Sequence, residues 1–255
     1  MSRSIRLSGA RVVITGAASG IGRRMTEFAR VRGAEVIGWD LAGSDIDVDV
    51  TDPAAVASAA AESGPVDILV NNAGVVSGRR LLDASETQIR RTFEVNVLAH
   101  FWTTRALLPG MIERGRGKIV TIASAAALVG VARQTDYAAS KWAAFGFAES
   151  LRAELRKDES PVSTLVVAPY FIDTGMFAGV RTRFPLLLPI LQERDVARRV
   201  LDAVESGRQQ LILPPFARLT PLLRVLPPLA FDAVTDLLGI NSTMDEFTGR
   251  SPAQP

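Results

Sequence analysis

The sequence has no cysteine and one histidine among its 255 residues. The first absence excludes disulfides, thiolate metal sites and cysteine nucleophiles. The single imidazole, His100 in "NVLAHFW", leaves neither a multi-histidine metal centre nor a Ser-His-Asp triad, and its helix-face setting reads as packing. No metal is expected. Lysine is scarce, with three among 29 basic residues set against 27 acidic ones. A formal net charge of +2 without a basic block gives no nucleic-acid footprint. No uninterrupted apolar run reaches the ~18 residues of a membrane span, and no signal-peptide pattern precedes the first apolar run. The expected compartment is therefore the cytoplasm.

The composition that remains, 47% hydrophobic and 22% charged, suits a compact fold. The length suits a single domain over 1–255. Short apolar runs alternate with longer amphipathic stretches, the signature of βαβ units in an α/β fold with a parallel sheet. Strands are predicted at "ARVVITG", "AEVIGWD", "DIDVDV", "VDILVNNAG", "GKIVTIAS", "VSTLVVAP" and "QQLILP". Helices are predicted at 20–32, 52–62 with Asp52 as cap, about 85–114, 136–156 and about 194–205. Such a doubly wound sheet places its site at the carboxyl ends of the strands.

"TGAASGIG", Thr15 to Gly22, follows the first strand and opens a helix. Glycines there let the backbone turn tightly and approach a pyrophosphate, which the helix N-terminus then holds. Asp40 ends the second strand, 18 residues after Gly22. Its carboxylate can accept from both adenosine ribose hydroxyls and would repel a 2′-phosphate. Leu41 and Ala42 follow it, so no adjacent arginine offers to bind such a phosphate, and NAD is favoured over NADP. Asp49 and Val50, at the end of the third predicted strand, are candidates for holding adenine. "NNAG", Asn71 to Gly74, suits a wall that bonds a neighbouring strand and leaves room for a ribose.

"SAAALVGVARQTDYAASK" carries the reacting chemistry. Ser124 ends a strand, Tyr137 follows 13 residues later, and Lys141 lies four beyond Tyr137. Positions i and i+4 share a helix face, so phenol and ammonium project to the same side. A phenol titrates near 10, so ionising it near neutrality costs about 4 kcal/mol, which a nearby ammonium and an oxidised nicotinamide can supply. The Ser124 hydroxyl can orient a substrate oxygen.

With these motifs in this order, the chain resembles the short-chain dehydrogenase/reductases along nearly its whole length. The resemblance implies a Rossmann-like sheet of about seven strands, a nicotinamide cofactor, and hydride transfer between an alcohol and a carbonyl. It implies a catalytic set of Asn96, Ser124, Tyr137 and Lys141, with Asn96 at a helix irregularity holding a water that links the lysine to solvent. Tyr137 would be general base in oxidation, and Lys141 would bind the nicotinamide ribose. Gly16, Ser19, Gly20, Ile21 and Gly22 would form the phosphate loop, Asp40 would take the ribose, and Asp49 and Val50 the adenine. Asn72, Ala73 and Gly74 would make the adjoining wall, and Pro169, Ile172 and Thr174 would meet the carboxamide. The family pairs two long helices across a dimer or tetramer; residues 90–113 and 137–156 are the candidates.

One position departs from the family pattern. Pro-Gly usually follows the sixth strand, but "APYFIDTGMF" has Tyr170 in the glycine position, which should reshape the substrate entrance. The stretches "FIDTGMFAGVRTR", "PLLLPIL" and "GINSTMDEFTGR" resemble the branch of retinol and related hydroxysteroid dehydrogenases. That branch implies a bulky lipophilic alcohol, with residues 175–240 forming substrate-binding elements and an apolar C-terminal extension. The first predicted strand begins at Ala10, so the apolar N-terminal anchor of membrane members is not expected. Two other readings stand beside this one: a polar-substrate reductase such as one acting on acyl-carrier thioesters, and a non-catalytic NAD-binding regulator. "LTPLLRVLPPLAF", 219–231, is too short to span a membrane, and Pro221, Pro227 and Pro228 should break its helix. It is read as core, pocket wall, or a peripheral membrane contact with Arg224 snorkelling outward.

Overall fold

The computed structural model describes residues 4–249. Seven parallel strands form one sheet: β1 (Arg11–Thr15), β2 (Glu35–Asp40), β3 (Ile46–Asp47), β4 (Ile68–Asn71), β5 (Gly117–Ile122), β6 (Val162–Pro169) and β9 (Gln210–Leu213). Their spatial order is β3-β2-β1-β4-β5-β6-β9. Order reverses between β1 and β4, which pair in parallel from Val12–Ile68 to Ile14–Val70. A crevice must open outside the carboxyl ends of those two strands, because the chain leaves them in opposite lateral directions.

Alternation along β1 divides the core. Val12 and Ile14 face the layer of α1 (Gly20–Val31) and α6 (Glu193–Glu205), packing with Met25 and Val200. Val13 faces the other layer, with Val56 of α2 (Pro53–Ser63) and Met111 of α4 (Ala99–Glu113). Leu151 and Leu155, from α5 (Thr135–Lys157), join this second layer. Strands buried on both faces read as continuous apolar runs, as "VVIT" and "ILV" do.

Local signals explain the element ends. Asp52 caps α2, accepting from the backbone N–H of Ala54 and Ala55. Ser85 and Gln88 close a reciprocal capping box on α3 (Glu86–Phe93). The expected single helix from about 85 to 114 is interrupted: between α3 and α4 it widens into a π turn over Glu94–Leu98.

Three expectations need correction. The third strand ends at Asp47, so Asp49 and Val50 lie in the following turn. A small two-stranded sheet, β7 (Ile172–Asp173) with β8 (Leu191–Gln192), was not expected and ties the segment after β6 to the start of α6. Pro221 and Pro228 stand in the first turns of α7 (Thr220–Leu223) and α8 (Pro228–Leu237), so they begin helices that they were expected to break. Proline suits that position, since the first helical N–H groups need no intrahelical acceptor.

Candidate active site

The expected motifs converge on one cleft of about 1000 Å³, up to and including its open mouth, beside the β1–β4 crevice. Gly16, Ser19, Gly20 and Ile21 line one end, Asn72 to Gly74 one side, and Ser124, Tyr137 and Lys141 the far end. Pro169, Ile172 and Thr174 complete it. Asn96 stands behind Gly74, outside the lining. Gly22, Asp40, Asp49 and Val50 also lie outside it.

The loop after β1 has the shape that a nicotinamide cofactor's pyrophosphate requires. Gly16 has φ of +67°, and a side chain there would press on Ala73 and Asn72. A Cβ on Gly22 would run into the Gly16 carbonyl oxygen. These glycines let the loop fold tightly over the N-terminus of α1, where backbone N–H groups and the helix dipole favour phosphate. Thr174 closes over Gly20, its methyl 3.4 Å from where a Cβ would stand. The residues present therefore fit such a group.

Asp40 is fixed at the edge of this loop, accepting from the Ala18 N–H at 2.9 Å and from the Leu41 N–H at 2.8 Å. Arg30, a nearby cation, is engaged with Asp45 at 2.7 Å. Asp49 accepts from the N–H and hydroxyl of Thr51 and has Arg91 at 3.9 Å. Burial works against its charge, but these contacts outweigh it and hold the carboxyl below its ordinary range. Val50 is buried in the second core layer.

Thr15, passed over in the sequence, organises the strand ends. Its hydroxyl accepts from the Asn72 N–H at 2.9 Å and the Ala73 N–H at 3.0 Å. The Asn72 amide returns a bond to the Thr15 carbonyl at 2.8 Å. Asn71 is anchored from behind by the Thr103 hydroxyl at 2.6 Å. The "NNAG" motif thus couples β4 both to β1 and to α4.

At the reacting end, Tyr137 and Lys141 project from one face of α5 and are 6% and 3% exposed. The Lys141 ammonium lies 5.7 Å from the centre of the Tyr137 ring and donates to the Ile122 carbonyl at 3.0 Å. Ser124, just past β5, accepts from the Ala126 N–H at 3.1 Å. Burial pushes the Tyr137 phenol up to about 12, with the Ser124 hydroxyl as partial offset. Burial also pulls the Lys141 ammonium down to about 8. In the protein alone desolvation outweighs these side chains, in keeping with the expectation that lowering the phenol takes the charge of an oxidised nicotinamide as well as the ammonium.

Asn96 sits within the π turn and is fully buried. Its amide grips the Val75 backbone in both directions, at 2.8 and 2.9 Å, and donates to the Ser140 hydroxyl at 3.0 Å. Asp136, beside Tyr137, accepts from Ser77 at 2.9 Å and Thr92 at 2.8 Å. These contacts lock the loop after β4 against α3 and α5. Sequence reasoning missed Asp136, Ser140 and Thr15 because each acts across chain separations that no local motif reports.

Apart from Gln134, whose amide is turned to the Met244 sulfur at 3.0 Å, the cleft's remaining wall is mostly apolar, with Val129, Val131, Tyr170, Met176, Phe177 and Ile240. Phe177 meets the Tyr137 ring edge-on with centres 5.6 Å apart. Phe177 and Ile240 fall in the motifs "FIDTGMFAGVRTR" and "GINSTMDEFTGR", and Val131 in "SAAALVGVARQTDYAASK", but none of the three was given a role of its own from the sequence.

The short chain dehydrogenase family model matches residues 44–183. The bovine short-chain dehydrogenase/reductase family 16C member 6 is 38% identical over 96% of this chain and 85% of its own. Mouse epidermal retinol dehydrogenase 2 is 38% identical over 96% and 87%. Estradiol 17-beta-dehydrogenase 11 of Pongo abelii is 38% identical over 87% and 80%. Among solved structures, a Burkholderia phymatum short chain dehydrogenase/reductase in complex with NAD superposes with a TM-score of 0.77. It is 25% identical over 98% of this chain and 99% of that one. A Burkholderia cenocepacia short chain dehydrogenase in complex with NADP also gives 0.77, at 26% identity over 92% and 99%. A family model over more than half of the chain and relatives 38% identical along nearly its full length stand beside this cleft: the chain belongs to the short-chain dehydrogenase family.

Proposed function

We propose that the protein oxidises a bulky lipophilic alcohol, of the retinoid, steroid or long-chain class, with NAD as hydride acceptor. The observation that carries this reading is the cleft's division: Ser124, Tyr137 and Lys141 at its end, apolar side chains along the approach. The retinol and estradiol dehydrogenases among the relatives support it.

A bound oxidised nicotinamide would supply the acceptor for the carbinol hydride and a positive charge near the phenol. Tyr137 takes the hydroxyl proton of the alcohol, and Ser124 holds the same oxygen by its hydroxyl. The Lys141 ammonium favours phenolate, and its bond to the Ile122 carbonyl fixes its place. Burial of Tyr137 keeps bulk water from competing for the proton. Asn96 holds the Val75 segment beside Lys141, and its role in a water path to solvent is part of this proposal. Asp40 supports NAD, because a 2′-phosphate would meet its carboxylate with no free cation adjacent to it in sequence. Asp49 and Val50 are proposed at the adenine edge.

Mixing the enzyme with NAD or NADP and a panel of retinoid, steroid, long-chain and polar alcohols gives the test. Absorbance at 340 nm should rise with lipophilic alcohols and with NAD. No rise with any alcohol, and no reverse reaction with carbonyls, would refute the reading and leave a non-catalytic NAD binder. Tyr137→Phe should lower kcat by at least about 10²-fold while cofactor binding persists.

No helix among the described residues is long and apolar enough to cross a membrane. Leu186, Leu222, Val225 and Leu229 are strongly exposed, which supports a peripheral contact with a membrane or lipid carrier that supplies substrate. A homodimer or homotetramer is proposed through α4 and α5, where Phe101, Ile112 and Trp142 expose apolar surface. A cytoplasmic location is part of the same proposal.

A further inference from the structure

Beyond the catalytic cleft lies a second apolar hollow of about 500 Å³, part of it open to solvent. Phe216, Leu223, Phe231 and Leu238 from the C-terminal segment form most of its wall, with Leu188 opposite. Among the described residues no charged side chain lines it, and the Thr235 hydroxyl on its wall is spent on the Asp232 carbonyl at 2.9 Å. Ala125, Val129, Tyr170 and Ile240 border both spaces, so they form a shared partition. Ala125 directly follows Ser124, which places the hollow close behind the reacting end.

Tyr170 is the largest residue of the partition. Its ring stands edge-on to Phe171 with centres 4.8 Å apart. Its hydroxyl is buried facing that of Thr182, which offsets only part of the burial that pushes the phenol up to about 12. With the Thr182 hydroxyl as its one polar neighbour, the Tyr170 hydroxyl keeps bonding capacity that water or a ligand could meet.

We propose that the hollow is a tail site for long, uncharged hydrocarbon alcohols, with Tyr170 as the partition that sets how much of the tail enters. The inference rests on the lipophilic-alcohol reading of the cleft. The reacting hydroxyl stays at Ser124 and Tyr137 while the distal carbons pass Val129 and Ile240 into the C-terminal wall. Short alcohols leave the hollow empty. Charged tails are excluded, since no lining group would replace their hydration.

Two readouts test this. In the first, kcat/KM with NAD is measured for primary alcohols from butanol to dodecanol, where each buried methylene is worth about fourfold. Tyr170→Ala should raise the dodecanol-to-butanol ratio about tenfold, and Leu223→Phe, which fills the hollow, should lower it about tenfold. Leu223 lies on a short surface helix, so its variant keeps the test decisive if Tyr170→Ala fails to fold. The second readout needs no turnover. Trp142 stacks on Arg224 at 4.4 Å, and Arg224 stacks on Phe231 of the hollow at 5.2 Å. Bound 12-bromododecan-1-ol should quench Trp142 fluorescence, 2-bromoethanol should not, and Trp142→Phe should remove the response. Unchanged chain-length ratios in both variants together with absent quenching would overturn the tail site. Quenching without oxidation of any alcohol would support the tail site and refute the proposed reaction.

Discussion

His100 shows how much a single side chain can say about solvent exclusion. It is 2% exposed, packs against Phe147 and has no hydrogen-bond partner on either ring nitrogen. Burial, with the Lys141 charge as a second cause, holds its pKa down to about 3 against an ordinary 6.5. Between those values the unfolded chain binds a proton that the folded chain refuses. Stability therefore falls as pH drops below 6.5 and gains nothing from this group above it, with a slope of up to about 1.4 kcal/mol per pH unit. His100→Phe should flatten that dependence, read as urea midpoints at pH 5 and pH 7. Equal slopes in both proteins would show that the imidazole charges freely in the fold. The expectation of packing holds here, since a lone histidine on an apolar helix face has no chemistry to share. It could not report Thr15, whose hydroxyl joins two strand ends 57 and 58 residues apart in sequence.

Among the elements, α7 and α8 depart furthest from expectation. Arg224 would reach outward under the membrane-contact reading of this segment, whereas its guanidinium lies over Trp142 and near Phe231 and donates to the Leu128 carbonyl at 3.0 Å. The link between the two helices is thereby pinned to α5 and to the segment after Ser124. Arg224→Ala removes two cation–π contacts and a hydrogen bond, together worth about 1–2 kcal/mol, so the melting temperature should fall by several degrees. An unchanged Tm would mean the C-terminal helices are held by apolar packing alone. The major strands and helices were legible because their apolar pattern runs on past the strand ends, as "DIDVDV" does around the two residues of β3. β7 and β8 were not, because two-residue strands containing Asp173 and Gln192 carry no periodic signal. Prolines in "LTPLLRVLPPLAF" read ambiguously for a physical reason: the same ring that breaks a helix interior suits a helix start.

For the whole molecule, the site spans most of the sheet, from Gly16 after β1 to Thr174 beyond β6. Cofactor binding should therefore stabilise the fold globally, by about 2.7 kcal/mol at a hundredfold excess over Kd. Thermal melts with matched concentrations of NAD and NADP should show the larger rise with NAD. A larger rise with NADP would reverse the assignment made from Asp40. The motifs made the cleft's ends legible and the resemblance placed 175–240 at the substrate, while the gathering of Val131, Phe177 and Ile240 into one wall had to come from folding. The π turn at Glu94–Leu98 carries a consequence at this scale. Upstream of it Thr92 serves Asp136, and downstream Thr103 serves Asn71. A π turn amounts to one extra residue wound into an α-helix, and each residue turns the helix by about 100°. Excising a single residue there would restore regular winding but swing α4 out of phase with α3. The chain therefore keeps two contact sets aligned only at this length, and an indel at this point would uncouple the catalytic loop from the sheet.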